Sequence, residues 1–224
     1  MTQKIIIIDP AEFDSILIQI KPREPEHFKG ELGIDVSRHN GQINWEGMLA
    51  AGVGFAGIRA TLGASGIDDQ FRRNWSEAKR VGIQRCAYHY FVNNTTGQAQ
   101  IENLLNVLGS DLGEIEMVLD VERASGQIIT DVNRNTREIA VWLDECQKRT
   151  GIRPIIYTNK SAWDACTNNP AWSSTYKLWH AQYTSAITPK VNLPWTQCAI
   201  WQYSNGGNLA GTSPLDLDRW GPYP

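Results

Sequence analysis

No run in the 224-residue chain is long and apolar enough to cross a bilayer, which takes about 20 residues as a helix. Nor is a secretory leader expected from the first residues. Met1 to Lys4 is followed by only Ile5 to Ile8 before Asp9-Pro10 ends the apolar stretch. Blocks of one charge are missing too. With 21 Lys and Arg against 24 Asp and Glu, the net charge is -3, and without a basic cluster nucleic acid is excluded as the expected partner. The four cysteines, Cys86, Cys146, Cys166 and Cys198, are widely spaced and form no C-x-x-C pattern, so they offer no zinc site. Together with the missing leader they are expected to stay reduced in a protein made in the cytoplasm. There is no internal repeat and no low-complexity segment.

What is present suits one globular domain: 42% hydrophobic and 20% charged residues, on a chain long enough to bury a large core. Nine Trp and seven Tyr are many for this length; they serve either core packing or a cleft that stacks on the apolar faces of sugar rings. Residues 1–30 read differently from the rest, with two short strand-like runs and a polar linker, Pro22 to His27. They are expected to be an N-terminal extension, adding strands or docking the protein to a larger assembly. From residue 31 onward a barrel domain is expected to run to 224. Eight apolar, strand-like runs follow: Leu32–Val36, Phe55–Ala60, Gln84–Phe91, Met117–Val121, Pro154–Thr158, Lys177–Tyr183, Cys198–Tyr203 and Leu215–Leu217. Helical patterns separate the early ones, at Asn44–Ala51, Asp68–Val81, Thr96–Leu108 and Asp131–Thr150. Asp68 and Asp131 read as N-caps, and Gly82 and Gly151 sit just past helix ends. Strand–helix alternation over eight strands predicts an α/β fold, an irregular (β/α)8-type barrel whose last helices are short or missing.

In such a barrel, chemistry sits at the C-terminal ends of the strands. The first strand carries Asp35, the fourth ends in Asp120-Val-Glu122, and the eighth carries Asp216-Leu-Asp218. Residues i and i+2 of a strand share a face, so Asp120 and Glu122 point the same way. Carboxylates converging on one mouth repel, which raises some of their pKa values and leaves one protonated beside an ionised partner. Glycoside hydrolysis needs that pair. Asp218 has a structural alternative, pairing with the adjacent Arg219; otherwise its charge is expected to raise the pKa of Asp216. His89 and His180 lie within strands and read as core or rim residues.

The motifs around these acids resemble glycoside hydrolase family 25, the Chalaropsis-type lysozymes or N-acetylmuramidases, over roughly Gly33 to Trp220. The resemblance rests on Gly33-Ile-Asp-Val-Ser37 with Gly41 and Trp45, Phe55 to Thr61, Asp69-x-Phe71 with Asn74 and Gly82, Cys86 to Phe91, Leu119-Asp-Val-Glu122, Ile156 to Asn159, Leu178 to Tyr183, Trp201-Gln-Tyr203 and Leu215-Asp-Leu-Asp218. It implies Glu122 as general acid, Asp120 as supporting carboxylate, and Asp35 and Asp216 completing the cluster, with no metal and no cofactor. The implied substrate is the peptidoglycan glycan strand, cut between N-acetylmuramic acid and N-acetylglucosamine. Tyr88, Tyr157 and Trp179, with Gln202, are expected to bind sugar. A protein without a leader would act on the wall after release, as a phage endolysin or on a virion or injection particle. Two positions depart from the pattern: Thr61-Leu62-Gly63 lacks a rim Glu, and Asp218 stands where Asn is usual. A barrel chitinase is a weaker fit, because Gly113 to Glu122 lacks the two earlier acids of that motif. A non-catalytic wall-binding protein is a further alternative.

Overall fold

The computed structural model describes residues 31–123, 129–191 and 194–223; the expected extension at 1–30 lies outside them. The elements are β1 (Leu32–Val36), α1 (Trp45–Ala50), β2 (Val53–Leu62), β3 (Gly66–Ile67), α2 (Phe71–Val81), β4 (Gln84–Tyr90), α3 (Gly97–Leu108), β5 (Val118–Asp120), α4 (Val132–Thr150), β6 (Ile155–Thr158), α5 (Lys160–Cys166), β7 (Leu178–Ala181), β8 (Cys198–Leu209) and β9 (Thr212–Tyr223). Local chemistry sets the helix ends. The Asp131 side chain accepts from the Arg134 amide at 2.8 Å and starts α4, and Gly151, at φ 73°, ends it in the left-handed region. Asp68 behaves differently from the N-cap expected of it. Helix α2 starts three residues later, and the Asp68 carboxylate is spent on the barrel wall, as described below.

Eight strands close into a barrel in the order β1-β9-β8-β7-β6-β5-β4-β2, with β1 pairing back onto β2 and β3 appended to the end of β2. From β1 through β8 every barrel pairing along the chain is parallel. The last strand departs from this, because β9 runs antiparallel to both β8 and β1. The reason lies in the connection. Only Ala210 and Gly211 separate β8 from β9, and both have positive φ, 48° and 85°, as a tight hairpin requires. A parallel strand would need a crossover of a dozen residues or more. Short late connections, legible in the sequence, thus reverse the strand that carries Asp216 and Asp218.

The core has two parts. A large cluster lies between sheet and helices, including Ile34, Ile58, Leu104, Leu119, Ile139, Trp142 and Ile156. A smaller one, Phe55, Cys86, Val118, Ile155, Trp179, Ile200 and Trp220, fills the lower barrel interior. The four cysteines are buried and unpaired. His89 faces the helical layer, as alternation from Tyr88 requires. Thr61 Oγ1 lies 2.7 Å from its Nδ1, and its Nε2 lies 3.1 Å from Gln100 Oε1. That oxygen also accepts from the Val92 amide while the Gln100 amide nitrogen donates to Val92 O, so the ring carries its proton on Nε2.

Burial lowers the His89 pKa from 6.5 to about 4. The unfolded chain therefore binds one more proton between those values, and stability falls as pH drops through this window. The group's contribution, fully present above pH 6.5, amounts to about 3 kcal/mol. Urea unfolding of the parent and of His89→Gln at several pH values checks this: the variant is expected to lose that part of the slope, and parallel curves would refute it.

Candidate active site

Alternation along the strands sorts the barrel interior into levels. Phe55, Ile155, Ile200 and Trp220 lie lowest. Above them come Cys86, Val118, Trp179 and Asp218. The upper level is polar: Asp35, Arg59, Tyr88, Asp120, Tyr157, Gln202 and Asp216. Two glycines make room for the aromatic floor. A Cβ on Gly33 would stand 2.1 Å from the Phe55 ring, and one on Gly57 would stand 2.7 Å from the Trp179 indole. Any larger residue at either position would push a ring out of the lumen.

The polar level opens as a cavity of about 400 Å³ lined by Asp35, Arg59, Tyr88, Tyr90, Asp120, Glu122, Tyr157, Trp179, Tyr183 and Asp216, among others. It lies at the C-terminal ends of the parallel strands, where barrel chemistry is found. A larger groove at the opposite end, around Trp195 and Trp220, has no carboxylate in its lining. The structure thus brings all four sequence-selected acids, Asp35, Asp120, Glu122 and Asp216, into one place. Asp120 ends β5, and Glu122 follows two residues on, at the rim. Asp35 and Asp216 are paired directly across the β1–β9 ladder. The reversal of β9 costs nothing here, because a strand of either direction can present a residue at that height.

Every acid in the cluster is held above its ordinary pKa, mainly by burial. For Asp120 the next cause is Glu122, opposed by Arg59. For Glu122 it is Asp216, opposed by a hydrogen bond from Tyr157. Asp35 is pushed up further by Asp218 and Asp216 and pulled down by Gln202. For Asp216 a hydrogen bond with Asp35 opposes the effect of burial. Among the described residues no three His, Cys, Asp or Glu side chains are placed to share a metal ion.

The expected sugar-binding residues take distinct positions. Gln202 lies buried behind the cavity; its Nε2 donates to Asp35 Oδ2 at 2.6 Å, and its Oε1 accepts from Tyr157 at 2.9 Å and Tyr183 at 2.7 Å. Tyr88 and Tyr157 stand in the wall. Trp179 is only 1% exposed and gives its indole N–H to Asp218 Oδ1 at 2.8 Å, so it forms the floor rather than an open stacking face. The exposed ring at the mouth belongs to Tyr183, 52% exposed, which the sequence reading put at the end of a strand-like run without naming it as a site residue; the strand ends at Ala181. Arg59 was also passed over as a site residue, although an arginine inside an apolar strand is a visible signal. Its Nε donates to Asp68 Oδ2 at 2.7 Å, and Asp68 also accepts from the backbone amides of Arg38 and Gln70. The pairing of Asp218 with Arg219 considered from sequence does not form. Neighbours in a strand face opposite ways, and Arg219 lies over the Tyr203 ring at 5.4 Å while Asp218 is sealed in the barrel. The effect expected of Asp218 on Asp216 runs the other way: Asp216 raises the pKa of Asp218, while the shift of Asp216 comes from burial.

Buried acids that cannot all ionise, open to a cleft walled by aromatic rings, meet the demands of glycosidic bond hydrolysis; fold and cleft together define a barrel glycosidase. Comparison with known proteins makes the class specific. Residues 34–212 match the model for Glycosyl hydrolases family 25. Lysozyme M1 of Streptomyces globisporus is 34% identical over 207 residues, covering 87% of this chain and 68% of that protein. The N,O-diacetylmuramidase of Chalaropsis sp is 27% identical, covering 81% and 91%. The crystal structure of the bacterial lysozyme from Streptomyces coelicolor superposes with a TM-score of 0.77 at 28% identity, covering 87% of this chain and 94% of that one. The chain belongs to glycosyl hydrolase family 25, the lysozyme family of glycoside hydrolases.

Proposed function

We propose that the protein cleaves the β-1,4 bond between N-acetylmuramic acid and N-acetylglucosamine in peptidoglycan, with Glu122 as general acid and Asp120 as its supporting carboxylate. The observation that carries this reading is the placement of both acids on one face at the mouth of a single cavity, with Asp35 and Asp216 opposite. The names of the relatives, a lysozyme and an N,O-diacetylmuramidase, support the choice of bond.

Glu122 raises the pKa of Asp120 and Asp216 raises that of Glu122, so the crowded acids titrate as a group, in which Glu122 is the proton carrier. Glu122 stands at the rim, within reach of a bound glycan. A sugar chain that covers the mouth excludes water from it, and the carboxyl most in need of its proton is then the rim acid. Glu122 delivers that proton to the glycosidic oxygen as the bond to the anomeric carbon breaks, and one water then adds to that carbon and returns a proton to the site. Asp120, ionised at that moment, is stabilised by Arg59 and faces the positive charge that develops on the sugar ring. Tyr157 and Tyr183, tied together through Gln202, supply polar and aromatic wall to the subsite.

Digestion of purified peptidoglycan, borohydride reduction and mass spectrometry of the products test the reading. Reduced muramic acid at the new ends is the expected result. Reduced glucosamine would replace the muramidase with a glucosaminidase. No cleavage on several wall types would favour a non-catalytic wall-binding protein.

A further inference from the structure

We propose that Asp218 is a positioning residue that shares a single proton with Asp35, so that the two carboxyls act as one singly charged unit beneath the reacting groups. The inference rests on the site reading above for its consequences, but not for its geometry. In the β1–β9 ladder Asp216 faces Asp35, and Asp218 faces Gly33, one level lower. Asp218 thus lies diagonally below Asp35 on the neighbouring strand, and Asp35 is within hydrogen-bonding reach of both Asp216 and Asp218. Each of the lower two carboxyls has one oxygen taken by a neutral donor. Trp179 Nε1 donates to Asp218 Oδ1 at 2.8 Å, and Gln202 Nε2 donates to Asp35 Oδ2 at 2.6 Å. Asp218 is 0% exposed, and its Oδ2 has no donor among the described residues.

Among the described residues, the groups facing this pair supply no free cation to neutralise it. Strand β4 contributes the Cys86 thiol and Tyr88, β5 contributes Asp120, β6 contributes Tyr157, β7 contributes only the Trp179 indole, and β9 itself adds Asp216. Arg59 on β2 is the cation of the cavity, and it is bound to Asp68 and faces Asp120. Two carboxylates in contact without a cation, one of them sealed from water, do not both ionise. Asp216 is the competing partner for the proton, but it stands at the open mouth, where solvent can stabilise its charge. The sealed Asp218 has no such recourse, so the proton lies between Asp35 and Asp218. It fixes the Asp35 carboxyl, which fixes the Gln202 amide, which orients the hydroxyls of Tyr157 and Tyr183.

Infrared spectroscopy of the folded protein at neutral pH reads the proton directly and needs no substrate. The carbonyl stretch of a protonated carboxyl is expected in the parent, lost in part in Asp218→Asn and in Asp35→Asn, and retained in full in Asp216→Asn. Either of the first two variants decides the matter should the other not fold. In Asp218→Asn the amide donates to Asp35 in place of the proton, so the unit keeps one charge to higher pH. The alkaline limb of the kcat/KM profile is then expected to move up by about one unit or more, which a purely structural substitution would not produce. Loss of the band in Asp216→Asn instead, or an unchanged band in both Asp218→Asn and Asp35→Asn, overturns the proposal. If the protein cuts no glycan, the infrared result still stands by itself.

Discussion

Glu122→Gln is expected to lower kcat on purified peptidoglycan by about 10²–10⁴-fold, the usual contribution of a positioned general acid, with no loss of thermal stability. The amide keeps the shape of the side chain and the contact with Tyr157 but has no proton to give. The stability half of the statement follows from the direction of the pKa shift. Glu122 binds its proton more tightly in the folded state, so folding gains from it only at acid pH, and that gain disappears as pH rises through its folded value. Above that value the buried, crowded carboxyl no longer favours folding, and a neutral amide of the same shape leaves Tm equal or higher. Turbidity or reducing-end assays beside a thermal melt separate the two effects. A variant as active as the parent would remove Glu122 from the mechanism; an inactive variant with a lower Tm would be explained by misfolding.

Asp68→Ala is expected to cost about 3–5 kcal/mol of stability, the range for orphaning a buried charge. Asp68 is 1% exposed and holds Arg59 Nε at 2.7 Å and the Arg38 amide at 3.0 Å through one oxygen, and the Gln70 amide at 3.0 Å through the other. Its removal strands the guanidinium in the barrel wall and leaves both amides without this acceptor. Asp68→Asn, which keeps an oxygen for one of these donors, is expected to cost less. Denaturant titration measures both. A cost below about 1 kcal/mol for Asp68→Ala would show that water or a rearranged Arg59 replaces the carboxylate. The double variant Asp68→Ala with Arg59→Met should recover part of the loss, since the buried charge leaves with its partner.

The parts of this molecule that follow from local periodicity were legible in the sequence. Period-2 runs ending in acids gave the barrel strands and brought Asp35, Asp120, Glu122 and Asp216 to one mouth. The Asp131 cap and the glycines at 82 and 151 marked helix ends correctly. What escaped notice depends on distant partners. Asp68 looks like a helix cap because a cap and a buried ion-pair partner are the same residue type in the same position before a helix; only the location of Arg59 distinguishes them. Asp218 left two alternatives open, pairing with Arg219 or acting on Asp216, although its spacing from Asp216 already placed it inside. The direction of β9 was missed because apolar pattern carries no polarity and because the expected runs stopped at Tyr203 and resumed at Leu215, hiding a hairpin whose strands extend to Leu209 and from Thr212. Tryptophan serves core and carbohydrate equally well, and Trp179, buried yet in the cavity lining, sits where the two roles meet.

The reversed last strand also puts the points where the chain enters and leaves the barrel at one pole. β1 climbs from the closed end of the barrel and β9 descends to it, so the chain passes Glu31 and leaves Trp220 side by side, with the Trp220 amide donating to Glu31 O at 3.1 Å. Both attachment points lie on the pole away from the acids. A tether at either one, to a bead, a fused domain or a larger particle, would present the cleft outward, toward an insoluble polymer that cannot diffuse in to meet it.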